Sequence, residues 1–344
     1  AYLQARFLFH RRGPRDLDNA RALFHRATDL EPDFARAWAG LAGTYYVEYS
    51  DTPSGDERLL QQLKEAAERA VAINQNLAEG WLRLSGYYSL TGDAEAAQRQ
   101  FSRALAAQPD DPLLQGIMAG REALEGNLGM AIQYQRRALE RNPLSAVDRS
   151  NLSFYLLAAG EYEEAMRVKR MAQVLHPDSQ PTPDTLQVHA LIKLGRYAEA
   201  LDVIEAWPQG PDRDSAEAMA RLALGHNWRA RLPIRRLSTD NSLAAHVRLA
   251  ELRAFCLEID SAFVVLAKIN QGLRRGESVR QPAFAFFSET AWSPFLEPVR
   301  DDVRWADWLQ QFRALTLEAD ASKAVRTPVK AAGAMSGSTT KSVR

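Results

Sequence analysis

The chain reads as an all-α protein, a solenoid of antiparallel helix hairpins closed by a C-terminal helical cap. Two observations predict it. A proline recurs at Pro109, Pro143 and Pro177, a spacing of 34 residues. Alanines stand at fixed distances before each proline, Ala97, Ala131 and Ala165 twelve positions back and Ala104, Ala138 and Ala172 five back, with a glycine between the helices at Gly92, Gly126 and Gly160. A period of this length marks a stack of two-helix units.

Each element of the period has a mechanical reason. Small residues such as Ala97 belong where two helices approach closely, because a larger side chain would push the backbones apart. Phe101 is placed to fill the space between neighbouring hairpins. Gly92 supplies the positive φ that stops the first helix. Pro109 ends the second helix and holds the residue before it extended. A hairpin of this kind cannot bury both faces alone, so the units must stack.

Taken in order, the first hairpin obeys the ruler with Ala20, Phe24, Ala27 and Pro32. The second keeps Trp38, Leu41 and Tyr45 and ends at Arg69-Ala70, with Gln75 in place of the proline. Its extra length falls in residues 49–55, read as a lengthened turn. The third carries the fullest set: Trp81, Leu84, Ser85, Tyr88, Gly92, Ala97, Phe101, Ala104 and Pro109. That string resembles the tetratricopeptide repeat, with Ser85 where the repeat prefers glycine. The resemblance implies a right-handed superhelix whose first helices line a concave groove.

The clear repeats span residues 1–178, about five in number. A breaker-rich junction follows at residues 178–183. Residues 179–317 read as looser repeats: a hairpin around Gly195, Ala198 and Ala200, a pair over 215–224 and 228–237 with Pro233 kinking or shortening its second helix, and another over 243–275. The aromatic stretch from Phe284 to Leu317, with Phe286, Phe287, Trp292, Phe295, Trp305 and Trp308, reads as a cap; the alternative is a pocket around Trp292 and Trp305. Residues 318–344 hold almost no large apolar side chains and read as a disordered tail.

The charge balance is even, with 43 Lys+Arg against 43 Asp+Glu, whereas a nucleic-acid module shows a basic surplus. Arg231, Arg235, Arg236, Arg274, Arg275 and Arg280 form a modest basic cluster, read as a solvated helix face. No apolar run approaches the roughly 18 residues that would span a bilayer. Cys256 stands alone, which excludes an intramolecular disulfide and argues against a Cys-based zinc site. The six histidines, His10, His25, His176, His189, His226 and His246, show no metal-ligand spacing. Glu163-Glu164 and Asp301-Asp302 fall at helix starts or turns, where a negative charge favours the helix dipole. No catalytic residue, metal or cofactor is expected, so the chain is not read as an enzyme.

Binding is the function left. By the resemblance, the groove is lined by Arg6 and Phe9 in the first repeat, Arg36 and Tyr46 in the second, Glu79 and Arg83 in the third, and Asn151 and Phe154 in the fifth. Arginines beside aromatics suit a partner peptide or domain that is partly acidic and partly apolar. Arg36 and Arg83 are expected to be exposed there, so reversing their charge would leave helicity and melting unchanged. The family's clamp for chaperone tails is not expected, since its fifth and ninth positions are here Ala5 and Phe9, Ala39 and Gly43, Leu82 and Gly86.

The flanks resemble those of repeat regions in bacterial signalling proteins, where a winged-helix DNA-binding domain or a nucleotide cyclase precedes the array. The strings are Ala1-Tyr2-Leu3-Gln4-Ala5-Arg6-Phe7 with Arg11-Arg12-Gly13-Pro14-Arg15-Asp16-Leu17, and Pro294-Phe295-Leu296 with Pro298, Arg300, Asp302 and Arg304. This implies a fragment that is the regulatory part of a bacterial transcriptional regulator or signalling protein, cytoplasmic, or periplasmic if a membrane span lies upstream. The alternatives are a small-ligand sensor and a free-standing assembly scaffold. Oligomeric state is left open.

Overall fold

The structure is a computed structural model, and it describes residues 1–11, 15–51, 56–175, 185–277 and 283–318. Helices pair along the chain: α1 (Tyr2–Arg11) with α2 (Asp16–Leu30), α3 (Ala35–Asp51) with α4 (Glu57–Ile73), α5 (Ala78–Leu90) with α6 (Ala94–Ala107), and α7 (Pro112–Leu124) with α8 (Leu128–Arg141). The second half continues with α9 (Ala146–Ala158) and α10 (Tyr162–Leu175), α11 (Thr185–Lys193) and α12 (Tyr197–Glu205), α13 (Pro211–Ala223) and α14 (Asn227–Thr239), and α15 (Leu243–Phe255) and α16 (Ile259–Arg274). The cap is α17 (Ala283–Ala291), a short 3-10 turn at Pro294–Leu296, α18 (Glu297–Arg300) and α19 (Arg304–Arg313). No strand occurs among the described residues. This is an all-α helical-hairpin solenoid.

The repeat ladder is the packing code. Ala97, Ala104, Ala131, Ala138, Ala165 and Ala172 are all buried, and so are Ala200 and Ala262 at the matching places of later hairpins. Phe101 and Phe24 are buried between helices. Gly40 lies directly under the Phe24 ring, where any Cβ would collide with it. Ser85, the departure from the repeat pattern, uses its hydroxyl: it donates to the Ala97 carbonyl of the paired helix at 2.9 Å. The polar atom is satisfied across the close approach that glycine would otherwise serve.

Turns between repeats are tied by one recurring contact. Trp38 Nε1 donates to the Pro32 carbonyl and Trp81 Nε1 to the Gln75 carbonyl, each at 2.8 Å. In the fourth repeat Gln115 stands where the tryptophan would be, and its Nε2 donates to the Pro109 carbonyl at 2.7 Å. Arg213 reaches the Trp207 carbonyl in the same way. Each donor lies six residues after its acceptor. The position selects a long side chain with an N–H donor rather than an indole as such.

Helix starts carry side-chain caps at Asp56, Asp93, Asp111, Ser145 and Ser242, each accepting from a backbone N–H of the first turn. Helix ends use positive φ at Gly92, Gly126, Gly160, Gly195 and Gly225. The last hairpin places Leu257 there instead, at φ 60°.

Two expectations change. Tyr49, Ser50 and Asp51 continue α3 rather than opening a turn; residues 52–55 lie outside the described residues. Pro233 neither ends nor shortens α14, which runs on to Thr239. A proline removes the hydrogen bond to the carbonyl four residues back. That carbonyl, on Arg229, instead accepts from Arg221 Nη1 at 3.2 Å, so the helix continues without an orphaned acceptor. The expected breaker at 178–183 and the tail from 319 also lie outside the described residues.

The aromatic cap is a packed layer. Trp305 and Trp308 lie 4.9 Å apart, Trp308 stacks on Phe312 at 4.8 Å, and Phe287 stacks on Phe312 at 5.6 Å. Trp308 Nε1 donates to the Leu266 carbonyl at 2.9 Å. The Phe284 side chain is outside the described residues. The largest buried cluster runs from Ala119 to Phe312, and a second one occupies Ala5 to Leu84.

Replacing Phe101 by Ala should lower stability by roughly 3–5 kcal/mol; a loss below about 1 kcal/mol in denaturant titration would show that the repeat register is misplaced. Leu257→Gly should raise stability by about 0.5–1 kcal/mol, because glycine relieves the left-handed backbone. A fall in melting temperature for that variant would contradict the strain.

Candidate functional site

The first helices stack side by side, α3 on α5, α5 on α7, α11 on α13 and α13 on α15. Their side turned away from the second helices is the face on which the repeat resemblance puts the concave groove. α1 also contacts α9 across that face. Arg6 of α1 reaches past α3 to α5, where its Nη1 donates to Glu79 Oε2 at 3.2 Å and to the Tyr2 hydroxyl at 3.4 Å.

Four of the eight predicted residues, Arg6, Phe9, Glu79 and Arg83, converge in one cluster. Glu79 accepts from Arg83 Nη2 at 3.1 Å on its second oxygen. The Arg83 guanidinium lies over the buried Phe9 ring, 5.8 Å from its centroid. Gly43 makes this possible: a Cβ there would stand 2.9 Å from Arg83 Nη2. Gly86 plays the reciprocal part, since its Cβ would stand 2.9 Å from the Tyr46 ring. The glycines at these two positions thus admit large side chains from the neighbouring helix.

Arg83 is only 8% exposed, which corrects the expectation of an open groove arginine. It is paired and packed, so reversing its charge would put two carboxylates together in a buried place. Arg36 is exposed and has no hydrogen bond or ion pair among the described residues. Tyr46 is half-buried at the rim. Asn151 and Phe154 are half-buried on α9, the helix that α1 meets, with Phe154 edge-on to Tyr155 at 5.8 Å.

The cluster's electrostatics follow from its burial. Burial opposes ionisation of Glu79, but the Arg83 and Arg6 guanidinia outweigh it and hold the carboxyl below its ordinary range. Asp111 goes the other way. Burial raises its pKa, Glu79 adds to the rise, and the two backbone N–H groups of its capping role oppose it. Burial likewise raises the Tyr2 hydroxyl. Arg6 and Arg83 both pair with Glu79, the Asp111 carboxyl lies within charge range of Arg6 and Glu79, and Arg36 lies within charge range of Tyr2.

A second polar group was not foreseen. Arg248 of α15 donates through Nε to Asp212 Oδ1 at 2.6 Å and through Nη1 to both oxygens of Glu251, at 2.9 and 2.8 Å. Burial, followed by the Arg248 charge, pushes the His189 imidazole down to about 4, so it is neutral at pH 7. Only the Arg248-x2-Glu251 spacing hinted at this from sequence. The region is covered by the chain itself: Phe295 sits edge-on to His189 at 5.0 Å, and Lys193 Nζ donates to the Pro294 carbonyl at 3.1 Å and to Glu297 at 2.9 Å. Further along, Arg313 pairs with Glu125 at 2.6 Å, and Trp292 closes over Gly126.

Among the described residues no group of His, Cys, Asp and Glu is arranged to hold a metal. No helix there is long and apolar enough to cross a membrane. The charged groups of both clusters are accounted for by their pairing and packing.

No family model matches the chain. It is 26% identical over 196 residues to the human Cell division cycle protein 16 homolog, covering 54% of this chain and 30% of that protein. It is 29% identical over 179 residues to Cellulose synthase operon protein C of Xanthomonas axonopodis pv. citri (strain 306), covering 46% of this chain and 12% of that protein. The chain therefore spans less than a third of the length of either relative. Among solved structures it is similar to pilF of Pseudomonas aeruginosa, with 15% identity, a TM-score of 0.45, and coverage of 63% of this chain and 97% of that one. The expected kinship with winged-helix regulators or nucleotide cyclases finds no support in these likenesses.

Glu79→Gln should destabilise the fold by about 2–3 kcal/mol, because it leaves two guanidinia facing each other, one of them a third exposed and partly screened. Glu79 contributes stability above its unfolded value near 4.5, and that contribution is lost as the pH falls through the lower folded value. Melting of the variant should be less sensitive to pH below 4.5 than melting of the unaltered chain; equal acid sensitivity would remove Glu79 from the account. The repeat ladder and the stacked hairpins together give this chain the fold of a tetratricopeptide-type α-solenoid.

Proposed function

We propose that the chain binds a partly acidic, partly apolar segment of a partner protein on the first-helix face of its N-terminal repeats. The carrying observation is the convergence of Arg6, Glu79 and Arg83 on Phe9, with Arg36 exposed beside them and Tyr46 at the rim. Two paired arginines and one unpaired one leave a positive surplus next to aromatic surface. An acidic side chain can pair with Arg36 while its apolar neighbours cover Tyr46. The C-terminal repeats support the same assignment by exclusion, since residues 294–297 already lie against α11. Asn151 and Phe154 would extend the surface along α9.

The chain's larger role is read as regulatory, the sensing part of a bacterial transcriptional regulator or signalling protein. The flanking strings at residues 1–17 and 294–304 support that reading. The binding reading stands without it.

Arg36→Glu tests the site, because Arg36 alone among its arginines is both exposed and unpaired. Peptides selected against the unaltered chain from a random display library should be enriched in Asp and Glu beside apolar residues. They should bind the variant about tenfold more weakly, which is about 1.4 kcal/mol, with the melting temperature unchanged. Selected peptides without acidic residues, or equal affinity for both proteins, would overturn the assignment.

A further inference from the structure

Helix α14 carries four arginines and no acidic residue. Arg236 is spent on Asp214, which it meets at 2.7 Å. Its neighbours in the basic cluster are also engaged, Arg275 with Glu277 and Arg274 with Gln311; Arg280 is outside the described residues. Arg229, Arg231 and Arg235 differ. All three are exposed, and none has an ion pair among the described residues.

The same helix exposes apolar surface between those charges. Trp228 is 70% exposed and Leu232, one turn further on, is 58% exposed. Residues four apart share a face, so the indole and the leucine form a crest along the helix. The Arg229 guanidinium stacks on the indole at 4.9 Å from its centroid. Ala230, Pro233 and Leu237 are buried on the opposite side, where α14 packs against α13 and α15. The crest therefore faces outward.

We propose that the outer face of α14 docks on an anionic membrane surface. An exposed tryptophan and leucine between unpaired arginines is the composition of a helix that lies in the interface plane. The indole and Leu232 would enter the boundary between headgroups and acyl chains, and the guanidinia would meet lipid phosphates. Contact would be peripheral, consistent with the lack of a spanning helix among the described residues. A nucleic acid fits less well. Its affinity comes from phosphate contacts and from bases stacked within a groove, whereas this crest projects and gives Leu232 nothing to do. An acidic protein would satisfy the arginines but needs no indole standing clear of the surface.

The test is co-sedimentation of the full chain with phosphatidylcholine vesicles, with and without about one-third phosphatidylserine. Two double variants accompany it, Trp228→Ser with Leu232→Ser and Arg231→Glu with Arg235→Glu. Binding should occur only to the anionic vesicles and should weaken with salt. Each double variant should reduce it about tenfold or more, while helicity by circular dichroism stays the same, as expected for exposed positions. No binding to anionic vesicles, or binding indifferent to both double variants, would refute the proposal. So would residue-dependent binding of single-stranded RNA or polyglutamate with none to vesicles.

Discussion

A two-helix hairpin has two apolar faces and can bury only one against itself. Everything else in this chain depends on that deficit. The second face is buried by the next hairpin, and the distance between them is set by alanines that the ladder repeats along the chain, such as Ala131 and Ala165, both fully buried. Close approach at those points is what lets Phe24 and Phe101 fill the remaining space. A larger residue on the ladder would separate two backbones and open a gap along a whole helix, not at one side chain.

The deficit reappears at the C-terminal end of the stack, and there the chain solves it with aromatics. Trp305, Trp308 and Phe312 stack against the last hairpin and make a buried layer. The cap then reaches much further than the last repeat. Arg313 pairs with Glu125, 188 residues earlier, and Trp292 covers Gly126. At the other end α1 packs on α9. Both contacts join hairpins far apart in sequence, so the curvature of the stack is held by more than nearest-neighbour contacts.

That curvature decides what the groove residues can do. Arg6 and Glu79 meet each other rather than solvent, and Arg83 is buried over Phe9. Charges that look like ligand contacts in a linear pattern become internal pairs that hold the first hairpin to the third. Arg36 stays outside that pairing.

The sequence by itself determined the period, the hairpins and the residues at their close approaches, because these are local: helix faces repeat every three or four residues and the units every 34. It also marked most of the turns, since Gly92, Gly126, Gly160, Gly195 and Gly225 supply the positive φ where their first helices stop. It could not decide that Gln115 would take over a tryptophan's hydrogen bond or that Arg221 would rescue the carbonyl freed by Pro233. Those depend on where a side chain's end lies, not on its type. Least legible was the pairing of Arg6 with Glu79, 73 residues apart. It depends on how the first and third hairpins sit against each other, and only the tertiary structure fixes that.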